Sequence, residues 1–378
     1  MAPDDRGGVS IDAAAPSRRY LTLLVGSLSL IALACVTLLF PVPYVIMRPG
    51  PTFNTLGEFD GKPMITFPSG TRTYRDRGQI DFTTVSVTRP DAKPSLLEAV
   101  AAYFSADTSV VPRRLIYADD ESAKQSRQRS QRQLASSKDS ARVAGLRAAG
   151  YKVAEKAVVE AVGKKAPAAG HLRRGDVIIG VAGRETVGAQ EVVDAVRTTK
   201  PGHKVTIEFK RKGVVHSVTL KTIADPLNHK RPLIGVGLTS QFKFPIQVSN
   251  HVGTQIGGPS AGSMFALAIY DRLTRGTLTG GLHVAGTGEI RPDGVISPIG
   301  GIRQKMAGAA RAGATVFLVP SANCADARRG ADGAGRVDGL ELVRVRKLSD
   351  AITSLETLAK SPKAGGSSRR VPGCGGPH

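Results

Sequence analysis

Ile256-Gly257-Gly258-Pro259-Ser260-Ala261-Gly262 opens the stretch on which the fold turns. Gly286-Thr287-Gly288-Glu289-Ile290 lies in its middle, and Pro298-Ile299-Gly300-Gly301-Ile302-Arg303-Gln304-Lys305 follows. Glycine and proline punctuate each piece, so each reads as a turn or the start of an element. From Ser260 to Leu273 the chain is almost wholly apolar, which predicts a buried helix with Pro259 and Ser260 at its start. A serine there is either a cap or a nucleophile whose oxyanion is met by the unpaired amides of the first helical turn.

The lysine supplies the second half of a candidate site. Ile302 to Ala312 reads as a short helix opened by Gly300-Gly301 and closed by Gly313. At helical spacing Ile302, Met306 and Ala309 form the inward stripe, Arg303, Gln304 and Arg311 project away, and Lys305 falls on the inward side. A lysine held against an apolar interior loses hydration, and its pKa drops toward that of a usable neutral base. The bland alternative is a lysine that snorkels at the core edge.

Taken together, Gly-Pro-Ser-Ala-Gly, Thr-Gly-Glu, Pro-Ile-Gly-Gly-Ile with a lysine shortly after, and the strand end Phe317-Leu318-Val319-Pro320 resemble the proteolytic domain of the Lon protease family, a Ser-Lys dyad peptidase. The resemblance runs from near Leu233 to near Leu358. It implies Ser260 as nucleophile, Lys305 as general base and Thr287 as the residue that orients the lysine. Gly258 and Ala261 support the serine turn, and backbone amides near Ser260 and Ala261 hold the oxyanion. Many members of the family carry an acidic residue two before the proline of the serine motif. This chain has Gly257 there, so that position is not carried over.

Two other motifs compete for the same chemistry. Gly258 to Gly262 fits the G-x-S-x-G elbow of α/β-hydrolases, but His251 to Gly257 is a poor strand, and the only histidines after Ser260 are His283 and His378. Ser240-x-x-Lys243 has the S-x-x-K spacing of penicillin-binding enzymes without their S-D-N and K-T-G partners. Both read as chance.

The remaining chain divides by composition. Its 378 residues allow two or three domains. The net charge of +21 is spread along the chain and aromatics are only 5%, so a nucleic-acid-binding surface is not expected. A basic surface with no special partner is the plainest reading, and anionic lipid headgroups or wall polymers suit it better than nucleic acid. Cys35, Cys324 and Cys374 make no disulfide framework and no metal site, and a Cys324–Cys374 bridge stays open. No G-x-x-x-x-G-K-[ST] occurs, so an ATP-independent form is expected, with no cofactor.

Residues 1–19 read as a cytoplasmic tail. Tyr20 to Met47 carries no charge and exceeds the roughly 20 residues that span a bilayer. Arg18 and Arg19 before it place the rest of the chain outside the cell. Ala32-Leu33-Ala34 has the form of a signal-peptide cleavage site, but cleavage would leave an apolar new terminus, so an uncleaved anchor over 20–47 is expected. Residues 48–150 read as an extracytoplasmic α+β region. It contains a loop at Pro49 to Gly57, a strand at Gln79 to Val87, a helix at Leu96 to Phe104, and a polar basic stretch at Ser122 to Ala149 that is either an exposed helix or a mobile arm.

Residues 151–225 resemble a PDZ domain of the kind attached to bacterial proteases. The resemblance rests on Pro167-Ala168-Ala169-Gly170, Leu172 to Ile178, Val181-Ala182-Gly183-Arg184, a helix from Ala189 to Thr198, and Lys200-Pro201-Gly202 leading into Val205 to Phe209. Such modules bind an extended peptide at a sheet edge, with the carboxylate loop placed near Gly150-Tyr151. Pro226 to Pro232 reads as the linker into a proteolytic domain at 226–360. That domain is expected to hold a hairpin of Val284 to Ile290 with Val295 to Ile299, a strand at Thr315 to Val319, a glycine-rich loop at Arg328 to Gly339 and a helix at Ala351 to Leu358. Residues 361–378 read as a disordered tail.

The expected architecture is thus α+β and multidomain: a single N-terminal transmembrane helix, a PDZ-like β-rich module and a C-terminal Lon-type proteolytic α/β domain. Its expected partners are flexible or membrane-tethered envelope polypeptides, the bilayer and, as the resemblance allows, further copies of the chain; nucleic acid is not among them. The competing reading is a catalytically inert membrane-anchored PDZ adaptor.

Overall fold

Strands from the two ends of the chain meet in one sheet, with a second sheet built from the residues between them. The computed structural model describes residues 18–75, 77–332, 339–360 and 371–375. In chain order the helices and longer strands are α1 (Arg18–Leu39), β1 (Tyr44–Asn54), β2 (Gln79–Val87), α2 (Leu96–Tyr103), β3 (Ser109–Pro112), α3 (Ala123–Ala148), β4 (Ala154–Val162), β5 (Val177–Val181), α4 (Ala189–Arg197), β6 (Lys204–Arg211), β7 (Val214–Lys221), β8 (Val236–Lys243), α5 (Gly262–Leu273), β9 (His283–Gly286), α6 (Ile302–Arg311), β10 (Val316–Pro320), α7 (Cys324–Asp332), β11 (Glu341–Val345) and α8 (Leu348–Lys360).

The larger sheet has the order β11-β10-β9-β2-β1-β3. β2, β9, β10 and β11 run parallel, while β1 pairs antiparallel with both β2 and β3. Side chains alternate across it as strand geometry requires. Val284, Val316, Leu318 and Val343 face a core shared with α5 and α8, whereas Ala285, Phe317 and Val319 face Ile302, Met306 and Ala309 of α6. Helices therefore cover both faces, which suits the continuous apolar run of β10. Cys324 and Cys374 are disulfide-bonded, and Gly373 bridges Val343, which ties residues 371–375 against β11.

The smaller sheet has the order β7-β6-β5-β4-β8 with α4 packed against it. β8 pairs antiparallel with β4 over its whole length and leaves its other edge unpaired among the described residues.

Several expectations change. The span expected to Met47 ends as helix at Leu39, where Pro41 and Pro43 interrupt the apolar run; Val45 and Ile46 are then buried in β1. Pro49 to Asn54 is strand, not loop. Residues 48–150 are not a separate region, because β1, β2 and β3 complete the larger sheet. Conversely β8, expected at the start of the proteolytic domain, belongs to the smaller sheet. Gly150-Tyr151, expected near the carboxylate loop, closes α3. Gly150, at φ +87°, and Tyr151 donate their amides to Arg147 and Leu146, the glycine-ended closure of α3. The link that enters the open edge strand β8 is Ile234-Gly235, after the short strand Pro232–Leu233. The expected hairpin narrows to Glu289–Ile290 paired with Ile296–Ser297, since β9 is committed to the larger sheet. Arg328 to Asp332 is helical, and 333–338 lie outside the described residues, as do 361–370 and 376–378 of the expected tail.

Candidate functional site

Parallel open sheets bring functional groups together beyond the carboxyl ends of their strands, and here that place is the end of β9. The chain leaves β9 at Gly286 into Thr287, whose side chain is fully buried. α5 approaches from one face of the sheet and α6 from the other. The helix expected from Ser260 begins two residues later, with Ala261 at its N-cap, so Ser260 sits in the turn before it. Gly258 makes that turn at φ +85°, a conformation that any side chain would strain. Its amide donates to the Ser130 carbonyl.

Lys305 and Ser260, 45 residues apart, meet in this corner. Lys305 Nζ donates to Ser260 Oγ at 2.7 Å and to Thr287 Oγ1 at 2.8 Å. Thr287 Oγ1 in turn donates to the Ser260 carbonyl at 3.0 Å, and the Gly288 amide donates to the same oxygen at 2.8 Å. The serine turn and the lysine are thus cross-braced through one threonine. Lys305 is 3% exposed, and burial lowers its pKa from 10.5 to about 7. The snorkelling alternative fails on that burial. Hydrogen bonds around the turn use the amides of Gly258, Gly262 and Ser263, and among the described residues none uses those of Ser260 or Ala261.

Gln304, expected to project away, is buried instead and donates to Ser109 Oγ at 2.7 Å, which fixes α6 to β3. His283 lies at the other end of β9 and pairs with Asp81 at 2.9 Å, so it takes no part in a triad with Ser260. Residues 251–257 form no strand, as the elbow motif would require. Ser240 accepts from the Ala189 amide and donates to Glu155, while Lys243 is exposed. Among the described residues no group of three histidine, cysteine or acidic side chains is placed to hold a metal.

The largest feature missed in the sequence is α3. It is neither an arm nor an exposed helix, for it walls the serine turn. Ser137 Oγ donates to the Pro259 carbonyl at 2.8 Å, and Gln131 Nε2 donates to Thr254 and Ile256 at 2.6 and 2.8 Å. It also explains Gly257: a Cβ there would come within 2.7 Å of Ser130 Cβ, so α3 occupies the space an acidic side chain would need. The signal was present as Ser130, Leu134, Ser137, Ala141 and Ala144, spaced 4, 3, 4 and 3 residues apart, but written in small and polar residues. From its last turn Arg147 reaches Glu155 of β4 at 2.9 Å and so joins the wall to the smaller sheet.

Comparison with known proteins bears on both parts. The Lon protease (S16) C-terminal proteolytic domain matches residues 240–355, and the PDZ domain matches residues 125–222, a range that takes in most of α3. The Lon protease of Phenylobacterium zucineum is 30% identical over 47% of this chain and 22% of its own length. That of Methylocella silvestris is 33% identical over 44% of this chain and 20% of its own. The chain therefore spans about a fifth of the length of these relatives. Among solved structures, the PDZ domain of the SdrC-like protein from Listeria monocytogenes is 30% identical, covering 22% of this chain and 85% of that one, with a TM-score of 0.20. The corresponding domain from Listeria innocua is also 30% identical over 22% and 92%, with a TM-score of 0.21. This chain accordingly carries a Lon-type C-terminal proteolytic domain and a PDZ domain, together with one apolar N-terminal helix.

Proposed function

We propose that the chain is a membrane-anchored serine endopeptidase that cleaves polypeptides without ATP, using Ser260 as nucleophile and Lys305 as general base. The observation that carries this reading is the 2.7 Å separation of Lys305 Nζ from Ser260 Oγ at a lysine whose pKa burial brings to about 7. When the amine is neutral its lone pair takes the Ser260 hydroxyl proton as Oγ attacks the peptide carbonyl. Thr287 accepts one N–H of the amine and keeps the lone pair aimed at Ser260. The Ser260 and Ala261 amides, with no other acceptor among the described residues, supply donors to the developing oxyanion. Collapse of the tetrahedral intermediate breaks the C–N bond, and the Lys305 ammonium gives its proton to the departing amine. Water, deprotonated by the same lysine, then attacks the acyl ester, and Ser260 regains its proton.

α1 supports the anchor: it is 22 residues long, apolar, and has no buried residue. The Cys324–Cys374 disulfide suits an oxidising compartment outside the cytoplasm. The open edge of β8 beside α4 suits the addition of a substrate strand. Substrates in this reading are flexible or membrane-tethered polypeptides, because these residues contain no nucleotide-driven unfolding motif. The full chain in detergent should cleave unfolded casein at the same rate with and without ATP, and Ser260→Ala should stop it. Casein bound but uncut by the wild-type chain would make the protein an adaptor.

A further inference from the structure

Helix α2 is built inside out. Its small residues, Ala99 and Ala102, face the protein, and its large ones face away: Leu97 is 50% exposed, Val100 42%, Tyr103 74% and Phe104 81%. Leu97, Val100 and Phe104 follow one another at spacings of three and four residues, so they form a single stripe. Leu115, 69% exposed, belongs to the short turn after β3, which packs beside α2. A contiguous apolar surface of this kind on a water-soluble face marks something that covers it.

Where the helix starts identifies the cover. The Leu96 amide donates to the Phe40 carbonyl, one residue past the end of α1, and the Val42 amide donates to Pro94, both at 2.9 Å. α2 therefore begins beside the end of α1, the level at which the proposed anchor would leave the hydrocarbon. Of the exposed aromatic residues nearby, Tyr44 and Tyr103 are of the kind that favours a bilayer interface, and Phe40 and Phe104 suit the apolar side of the headgroup boundary. Close by, a cleft of about 350 Å³ is lined by Pro43, Tyr44, Arg113, Arg114, Tyr117 and Asp119, among others, and its two arginines suit anionic headgroups.

We propose that α2 is an interfacial helix whose Leu97, Val100, Tyr103 and Phe104 side chains rest in the outer leaflet of an anionic bilayer. This rests on the anchor reading of α1 but goes beyond it. A lone anchor tethers the catalytic domain, whereas a docked α2 also orients it. The segment after α2 is bonded to α6, the helix that carries Lys305: Arg303 donates to the Ala106 carbonyl, Gln304 to Ser109, and Arg311 pairs with Asp107. Docking would hold the proteolytic site at a fixed height above the lipid and favour cleavage of segments just outside the bilayer.

The chain has no tryptophan, so single-tryptophan variants report position without background. Leu30→Trp in α1, Phe104→Trp at the C-cap of α2 and Leu227→Trp, at a residue 97% exposed in the loop between β7 and β8 of the smaller sheet, should be placed in the full chain and reconstituted in phosphatidylcholine–phosphatidylglycerol vesicles. Brominated acyl chains should quench Leu30→Trp and Phe104→Trp and leave Leu227→Trp bright. Quenching at Leu30→Trp alone would overturn the proposal and keep the anchor. No quenching at either would overturn both. If Phe104→Trp is shielded from aqueous acrylamide yet unquenched by bromine, a protein partner such as a second copy covers α2, and the proposal is likewise wrong.

Discussion

Two serine–lysine pairs of this chain, Ser240 with Lys243 and Ser260 with Lys305, are opposites. Ser240 and Lys243 are three residues apart, on a strand where that spacing points the side chains to opposite faces. Ser240 is saturated by Ala189 and Glu155, and Lys243 stands in water. Ser260 and Lys305 are 45 residues apart, yet their polar atoms lie 2.7 Å from each other, and the lysine is buried. Sequence proximity gives the first pair nothing. The second is made by two helices on opposite faces of a sheet converging beyond one strand end. Burial makes the chemical difference, because a hydrated lysine at neutral pH has no lone pair to offer.

The sharpest way to break this contrast is Lys305→Met. Peptide cleavage should fall by about 10^4-fold, while the protein becomes more stable, as thermal unfolding at pH 7 would show. The folded pKa of about 7 lies below the unfolded 10.5, so the folded state binds fewer protons through that window. Wild-type stability therefore falls as pH drops from 10.5 towards 7, by several kcal/mol for a shift of this size. The advantage of Lys305→Met should be greatest at pH 7 and below and should close as pH nears 10.5. A lysine with a purely structural role would give the reverse, a less stable variant.

Gly257→Asp tests the wall beside the serine turn. Its Cβ would collide with Ser130, and forcing α3 aside should cost about 1–3 kcal/mol in urea unfolding and lower turnover. A stable, fully active Gly257→Asp protein would show that α3 does not confine the turn. Ser137→Ala removes one neutral hydrogen bond to Pro259. It should slow turnover about fivefold with little change in KM, whereas an unchanged kcat would remove Ser137 from the support of the nucleophile. Smallest of all is Ser240→Ala in the other pair. Casein cleavage should stay within about twofold, and stability should fall by about 1 kcal/mol for the lost bonds. Loss of cleavage there would mean that the two pairs are not opposites after all.

What the sequence disclosed follows the same contrast. The Gln79–Val87 strand, α2 and α6 were legible, since β-branched alternation, helical stripes and glycine–proline turns each act over a few residues. The meeting of Ser260 with Lys305 was expected only from the resemblance to Lon proteolytic domains. Two features were not legible. α3 carries Arg127, Arg129 and Arg132 outward and buries Ser126 and Ser137, so its hydropathy is that of a solvated helix; only backbone carbonyls on the serine turn make its polar face an inner one. Nor does local pattern reveal that β1 and β2 join β9 in one sheet, while β8 leaves for the other. Strand partners across some 200 residues are chosen by the whole chain.

The central claim is that Lys305 stands neutral beside Ser260 near pH 7. The pH dependence of kcat/KM for a short peptide substrate, measured from pH 5 to pH 10, tests it most directly. The base must be unprotonated, so the rate should rise about tenfold per pH unit at the acid end, bend near pH 7 and stay level above it. A rate that is still climbing about tenfold per unit up to pH 10, as a hydrated lysine titrating at 10.5 would give, would contradict the claim.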